Sequence, residues 1–138
     1  MADAYAATRG DQLSTVFWER LGDGEFVIQR CRTCATVRFP PTSMCPSCHG
    51  IEYEWIPVAR EGTVWTYTVV HRAPSPDLEP LVPYALAVVA LPEGPLVLGR
   101  VAGADSWQRV DVGEPVTLVI DRGEGSDPPR YHFELAQP

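Results

Sequence analysis

The chain contains no lysine. All 11 of its bases are arginine, set against 18 acids in 138 residues, for a formal charge of −7 and a pI near 4.8. A protein that tracks a phosphate backbone needs a dense cationic face, so this balance argues against nucleic acid as a partner unless the arginines cluster. Long hydrophobic runs are missing too. The longest, Tyr84 to Leu91, is too short to cross a bilayer, and the first ten residues, MADAYAATRG, have no apolar segment of the kind a secretion signal needs. A soluble, cytoplasmic chain with no membrane partner is expected. Acids are absent between Glu25 and Glu52, where Arg30, Arg32 and Arg38 make a locally cationic stretch on an acidic protein.

Cysteine is scarce and concentrated. There are four, all within the segment CRTCATVRFPPTSMCPSC, as Cys31/Cys34 and Cys45/Cys48 with ten residues between the pairs. Two residues between cysteines allow a tight knuckle that aims both sulfurs at one point, and two such knuckles complete a tetrahedral metal site. In a reducing compartment this is favoured over structural disulfides. A redox Cys-x-x-Cys needs one pair only and a thioredoxin-like βαβ setting, which the pattern lacks. Cys45-Pro46-Ser47-Cys48 resembles the second knuckle of rubredoxins, so iron stays open as the lesser choice beside zinc. Four cysteines leave no coordination position for water or substrate, so one structural zinc per chain is expected. No catalytic constellation stands out: the cysteines are committed as ligands, and His49, His71 and His132 have no evident nucleophile to serve.

Fourteen prolines and 11 glycines favour short strands and turns over long helices. Leu13, Phe17 and Leu21, with Val16 beside them, form one apolar helix stripe over Asp11 to Leu21, stopped by Gly22-Asp23-Gly24. Residues 1–10 read as a loose tail. Strands are expected at Phe26 to Arg30, Glu52 to Val58, Gly62 to Arg72, Tyr84 to Leu91, Leu96 to Val101, Val116 to Asp121 and Tyr131 to Leu135. In Gly62 to Arg72, Val64, Thr66, Thr68 and Val70 alternate with Trp65, Tyr67, Val69 and His71; Tyr84 to Leu91 reads as covered on both faces. Asp105 and Trp107 fall in a loop, and residues 73–81 in a Pro-rich one. The fold class expected is mainly β: a tail and helix over 1–24, a rubredoxin-like zinc ribbon over 25–52 and a five-stranded OB-type barrel over 53–138, with a sandwich as the rival.

The ordered run Phe17-Trp18-Glu19, Gln29-Arg30-Cys31-Arg32-x-Cys34, Arg38-Phe39-Pro40-Pro41, Cys45-Pro46-x-Cys48, Trp55, Gly62-Thr63-Val64 and Tyr67-Thr68-Val69-Val70 resembles one family closely. That family joins a rubredoxin-like zinc ribbon to an acyl-CoA-associated OB-fold domain. The likeness continues through Pro83 to Ala87, Glu93-Gly94 and Gly113 to Val116. It departs at Ala35, where members often carry glycine, and in the long Pro-rich loop after Arg72. The resemblance implies an accessory partner of thiolase-superfamily enzymes of the lipid-transfer-protein type. In steroid side-chain degradation, similar domains accompany MaoC-like hydratase subunits and bind a thiolase-fold aldolase that cleaves an acyl-CoA by retro-aldol chemistry, in a heterotetramer.

Together these readings point to a non-catalytic subunit that binds and stabilises such a partner. Trp18, Arg38, Phe39, Pro40 and Pro41 are the expected partner contacts, because a Phe-Pro-Pro loop is stiff and costs little to order. Arg30, Arg32 and Arg72 are the candidates for acyl-CoA phosphates. A free-standing acyl-CoA-binding protein and a single-stranded nucleic-acid module are the alternatives, the second disfavoured by charge.

Overall fold

The computed structural model describes residues 12–136; the tail expected over 1–10 lies outside them. Two compact units are present, one made of residues up to Val58 with Ile120–Arg130, the other of Ala59–Val119 with the segment from Tyr131.

In the first unit, α1 (Gln12–Gly22) precedes three strands, β1 (Val27–Cys31), β2 (Val37–Arg38) and β3 (Tyr53–Pro57), arranged β2-β1-β3 and antiparallel throughout. The helix follows the predicted stripe: Phe17 and Leu21 are buried, with Leu13 and Val16 half-buried one turn away. It ends where Gly24, at φ +88°, donates its N–H to the Leu21 carbonyl. The chain then turns into Phe26, whose ring meets Phe17 edge-on at 5.1 Å between centroids, and Phe39 closes the cluster at 5.5 Å from Phe17 and 5.3 Å from Phe26. Burying rings of this size contributes about 1.5–3 kcal/mol each, a large share of what so small a unit can collect.

β3 was expected to open the barrel. Its register with β1, from Val27↔Pro57 to Cys31↔Tyr53, places it instead in the ribbon's own sheet. Alternation identifies a strand but not its neighbour, and here the partner is a strand more than twenty residues earlier.

The barrel, which the second unit holds apart from the last two residues of β7 and the first of β8, consists of β4 (Glu61–Val70), β5 (Tyr84–Ala90), β6 (Leu96–Val101), β7 (Pro115–Asp121) and β8 (Arg130–Leu135), closed in the order β4-β5-β6-β8-β7. This is the expected five-stranded OB-type barrel. Its interior is lined by Val64, Ala85, Ala87, Val89, Val97, Val101, Val116, Leu118 and Phe133, all buried. Gly99 is required where β6 passes Phe133, since a Cβ there would lie 2.6 Å from the ring.

Two local expectations change. A bulge between Val64 and Thr66 interrupts the alternation of β4: Val64 pairs with buried Val89, whereas Thr66 pairs with Val88 on the outer side. β5 is not covered on both faces. Tyr84, Ala85, Ala87 and Val89 are buried, but Leu86, Val88 and Ala90 are half-exposed. The loop containing Asp105 and Trp107 holds a short helix, α2 (Ser106–Arg109), and the Pro-rich loop a 3₁₀ turn, Pro76–Leu81. Among the described residues, no helix is long and apolar enough to cross a membrane.

Candidate metal centre and its surroundings

The two knuckles are built alike. In the first, Cys31 N–H donates to Thr36 O at 2.8 Å and Ala35 N–H to Cys31 O at 3.0 Å; in the second, Cys45 N–H donates to Gly50 O at 2.9 Å and His49 N–H to Cys45 O at 2.9 Å. Each turn needs a left-handed residue just after its second cysteine, and Ala35 (φ 65°) and His49 (φ 64°) supply it. Backbone amides also point at sulfur: Thr33 N–H at Cys31 Sγ and Gly50 N–H at Cys48 Sγ, both at 3.4 Å. Gly50 is confined, because a Cβ would sit 3.2 Å from Cys48 Sγ and 3.3 Å from Thr33 Oγ1.

The four sulfurs converge within 4.8 Å of one another, with Cys31–Cys48 at 3.5 Å and Cys34–Cys45 at 3.6 Å. Thiolates about 2.3 Å from a tetrahedral metal stand about 3.8 Å apart, so the spacing fits one ion. It is far too long for disulfide bonds. Cys31 and Cys45 are buried and Cys34 and Cys48 exposed.

The electrostatics also call for a cation. Hydrogen bonds from the Thr36 hydroxyl, 3.1 Å from the sulfur, and from the Thr36 amide pull Cys34 down to about 6. Cys31 is lowered chiefly by the Cys34 amide. Cys48 goes the other way, to about 12: the Gly50 amide favours its thiolate, but the sulfurs of Cys31, Cys34 and Cys45, together with partial desolvation by the surrounding atoms, oppose the added negative charge. A divalent ion among the four removes that conflict.

At Ala35 the structure shows why glycine suits the position, since the backbone there is left-handed at φ 65°. A left-handed conformation costs an L-residue about 1–2 kcal/mol that glycine escapes. Ala35→Gly is therefore expected to stabilise the metal-loaded protein by about 1 kcal/mol, read as a higher midpoint in thermal or denaturant unfolding. A lower midpoint would mean that the knuckle does not hold this conformation.

The other predicted site residues are placed unequally. Arg30 is committed to Glu54, with Nε 2.8 Å and Nη2 2.5 Å from the same carboxylate oxygen. Arg32 and Arg72 are exposed. Trp18 is half-buried against Phe17 at 5.2 Å, and Phe39 belongs to the aromatic cluster, while Pro40 is exposed and Pro41 half-exposed. Arg38 is only 5% exposed. Its Nε donates to Gln29 Oε1 at 3.2 Å, its Nη2 to Thr42 O at 3.2 Å, and its guanidinium carbon lies 5.2 Å from the centroid of the Tyr53 ring. Its head is thus turned into the ribbon.

Gln29 is the residue sequence reasoning passed over. It is fully buried; its Oε1 accepts from the Thr42 amide at 2.8 Å and its Nε2 donates to Thr42 O at 3.0 Å. One side-chain amide thereby ties the end of the Phe39-Pro40-Pro41 loop to the central strand. A lone polar residue within the apolar run Phe26-Val27-Ile28-Gln29 was the available signal.

Comparison with known proteins agrees with this architecture. Residues 18–54 match the family described as the ChsH2 rubredoxin-like zinc ribbon domain, and residues 55–121 the ChsH2 C-terminal OB-fold domain. A benzoylsuccinyl-CoA thiolase subunit, BbsA, of Thauera aromatica is 30% identical over 75% of this chain and 72% of its own length. A DUF35 domain-containing scaffold protein of Methanocaldococcus jannaschii is 38% identical over 67% of this chain and 65% of its own length. A probable enoyl-CoA hydratase alpha subunit of Thermomonospora curvata is 36% identical over 74% of this chain, which spans only 31% of that longer protein. Among solved structures, a chain of an Ltp2-ChsH2(DUF35) aldolase superposes with a TM-score of 0.79 at 29% identity, over 91% of this chain and 95% of the other. With both halves matched in order and the ligand knuckles formed, the chain belongs to the family of ChsH2-like zinc-ribbon and OB-fold proteins that includes the DUF35 scaffolds.

Proposed function

We propose that this chain is a non-catalytic scaffold subunit that binds and stabilises a thiolase-superfamily enzyme of the lipid-transfer-protein type, in an acyl-CoA aldolase complex of steroid or lipid side-chain degradation. The observation that carries the reading is that the fully built site is a closed four-thiolate centre, which orders a loop-rich segment and has no position left for a substrate. The names of the thiolase subunit and the aldolase among the relatives support such a partner, and that of the hydratase alpha subunit supports a hydratase-type neighbour in the same assembly.

Zinc is the metal of this reading, held by Cys31, Cys34, Cys45 and Cys48. On the ribbon, Trp18 and the Phe39-Pro40-Pro41 loop are candidate contacts, with Arg38 holding that loop from inside. Of the three arginines considered for the acyl-CoA phosphates, exposed Arg32 and Arg72 are better placed than Arg30, whose charge is already offset by Glu54.

The test is co-expression with a thiolase-type subunit from the same genome, followed by size-exclusion chromatography, metal analysis and a retro-aldol assay on a β-hydroxyacyl-CoA. Co-elution as a heterotetramer, one zinc per scaffold chain and cleavage that depends on the partner's active site are expected. Two proteins that always elute apart would sink the reading, and a coloured, iron-loaded chain would sink the assignment of zinc.

A further inference from the structure

The outer face of the barrel carries apolar side chains in register. On β5 and β6 the outward residues form apolar cross-strand pairs, Val88↔Leu98 and Ala90↔Leu96, with Leu86↔Arg100 beyond them and Thr66 of β4 beside Val88. Leu98 is 57% exposed and Leu96 41%. Trp65, the extra residue at the β4 bulge, is 59% exposed. Scattered exposed apolar residues are ordinary, but several large ones in register on one sheet face mark an interaction surface.

The charge pattern says what kind of surface covers it. No carboxylate occurs from Gly62 to Pro76, from Leu81 to Pro92 or from Gly94 to Ala104, although the chain as a whole carries −7. The charged residue on the patch is Arg100, whose guanidinium has no ion pair among the described residues. An acidic partner surface would be repelled by most of this protein and accepted here, which selects the docking orientation as well as the site.

We infer that the outer face of β4, β5 and β6 is the seat of the thiolase-type subunit, which presents an apolar surface bordered by a carboxylate that meets Arg100. The inference rests on the scaffold reading above and adds the barrel face to the ribbon contacts named there. The leucine pairs and Trp65 fill the dry centre, where large apolar side chains dominate affinity, and Arg100 lies at the rim, where charge governs the approach.

The experiment measures capture of the co-expressed thiolase-type subunit by the full chain and by Leu98→Asp, Leu96→Asp and Trp65→Ser, with Ile51→Asp, on the exposed base of the second knuckle, as comparison. Unchanged metal content and melting temperature verify that each variant is folded. Capture by the barrel variants is expected to weaken at least about tenfold, with Ile51→Asp staying close to the unsubstituted chain. Arg100→Gln should flatten the decline of capture with added salt. The inference is overturned if the barrel variants bind like the original, or if only Ile51→Asp weakens. It is also overturned if Leu98→Asp merely converts a homodimer of this chain into monomers. If the unsubstituted chain captures no thiolase-type subunit at all, the scaffold reading itself fails.

Discussion

Removing the metal with a strong chelator is expected to unfold the ribbon unit. Among the described residues the unit has one helix, a three-stranded sheet whose β2 is only two residues long, and an eighteen-residue ligand loop with few buried side chains. Structural zinc in sites of this type contributes on the order of 10–16 kcal/mol, more than such a sheet can replace. Cys45→Ser, which removes a buried ligand, should act in the same way. The measurements are metal content, amide exchange in β1 to β3 and protease sensitivity between residues 31 and 51; a metal-free chain that keeps native exchange protection in β1 would refute the expectation.

Acid should do the same work. Cys34 is lowered from 9.0 to about 6, so its ionised form contributes stability that is complete above about 9 and is lost as the pH falls through 6. Protons also compete with the metal for every sulfur, with the same sign. Metal release is therefore expected on acidification and not on mild alkalinisation.

The second large effect is at Gln29. Replacing it with leucine keeps the volume but strips the Thr42 amide of its acceptor and removes the Arg38 Nε partner, in a place where Arg38 Nη1 already has no hydrogen-bond partner among the described residues. A buried charge left with fewer partners costs about 3–5 kcal/mol, so Gln29→Leu should destabilise the ribbon by that order, seen in denaturant unfolding. Adding Arg38→Met to Gln29→Leu should recover part of the loss, because the charge goes with its partner. A double variant as unstable as the sum of the two single ones would show that the node does not act as a unit.

The contrast between Gln29 and the cysteines explains what was legible in the sequence. Ligand spacing is a local property: two residues between sulfurs fix the knuckle whatever surrounds it, so Cys31, Cys34, Cys45 and Cys48 could be assigned without a fold. The strands of the barrel were readable for a similar reason, since each is a run of β-branched and aromatic residues bounded by proline or glycine. What was not readable was pairing. β3 was assigned to the barrel because nothing in Tyr53 to Pro57 names β1 as its neighbour, and the bulge at Trp65 came from the register of β4 against β5. Arg38 was read as surface because arginine usually is; its burial depends on Gln29 and Thr42, one distant in sequence and neither informative alone. Ala35 lies between these cases, since a family departure flagged the position and only the backbone gave the reason.

The alternation of buried and exposed ligands bears on how quickly the ion is exchanged. Cys31 and Cys45 would hold a bound ion from the interior, while Cys34 and Cys48 are exposed. An incoming chelator or competing metal would meet the exposed sulfurs of Cys34 and Cys48 before the buried ones. The lifetime of a loaded state is then expected to depend more on Cys34 and Cys48 than on the buried pair.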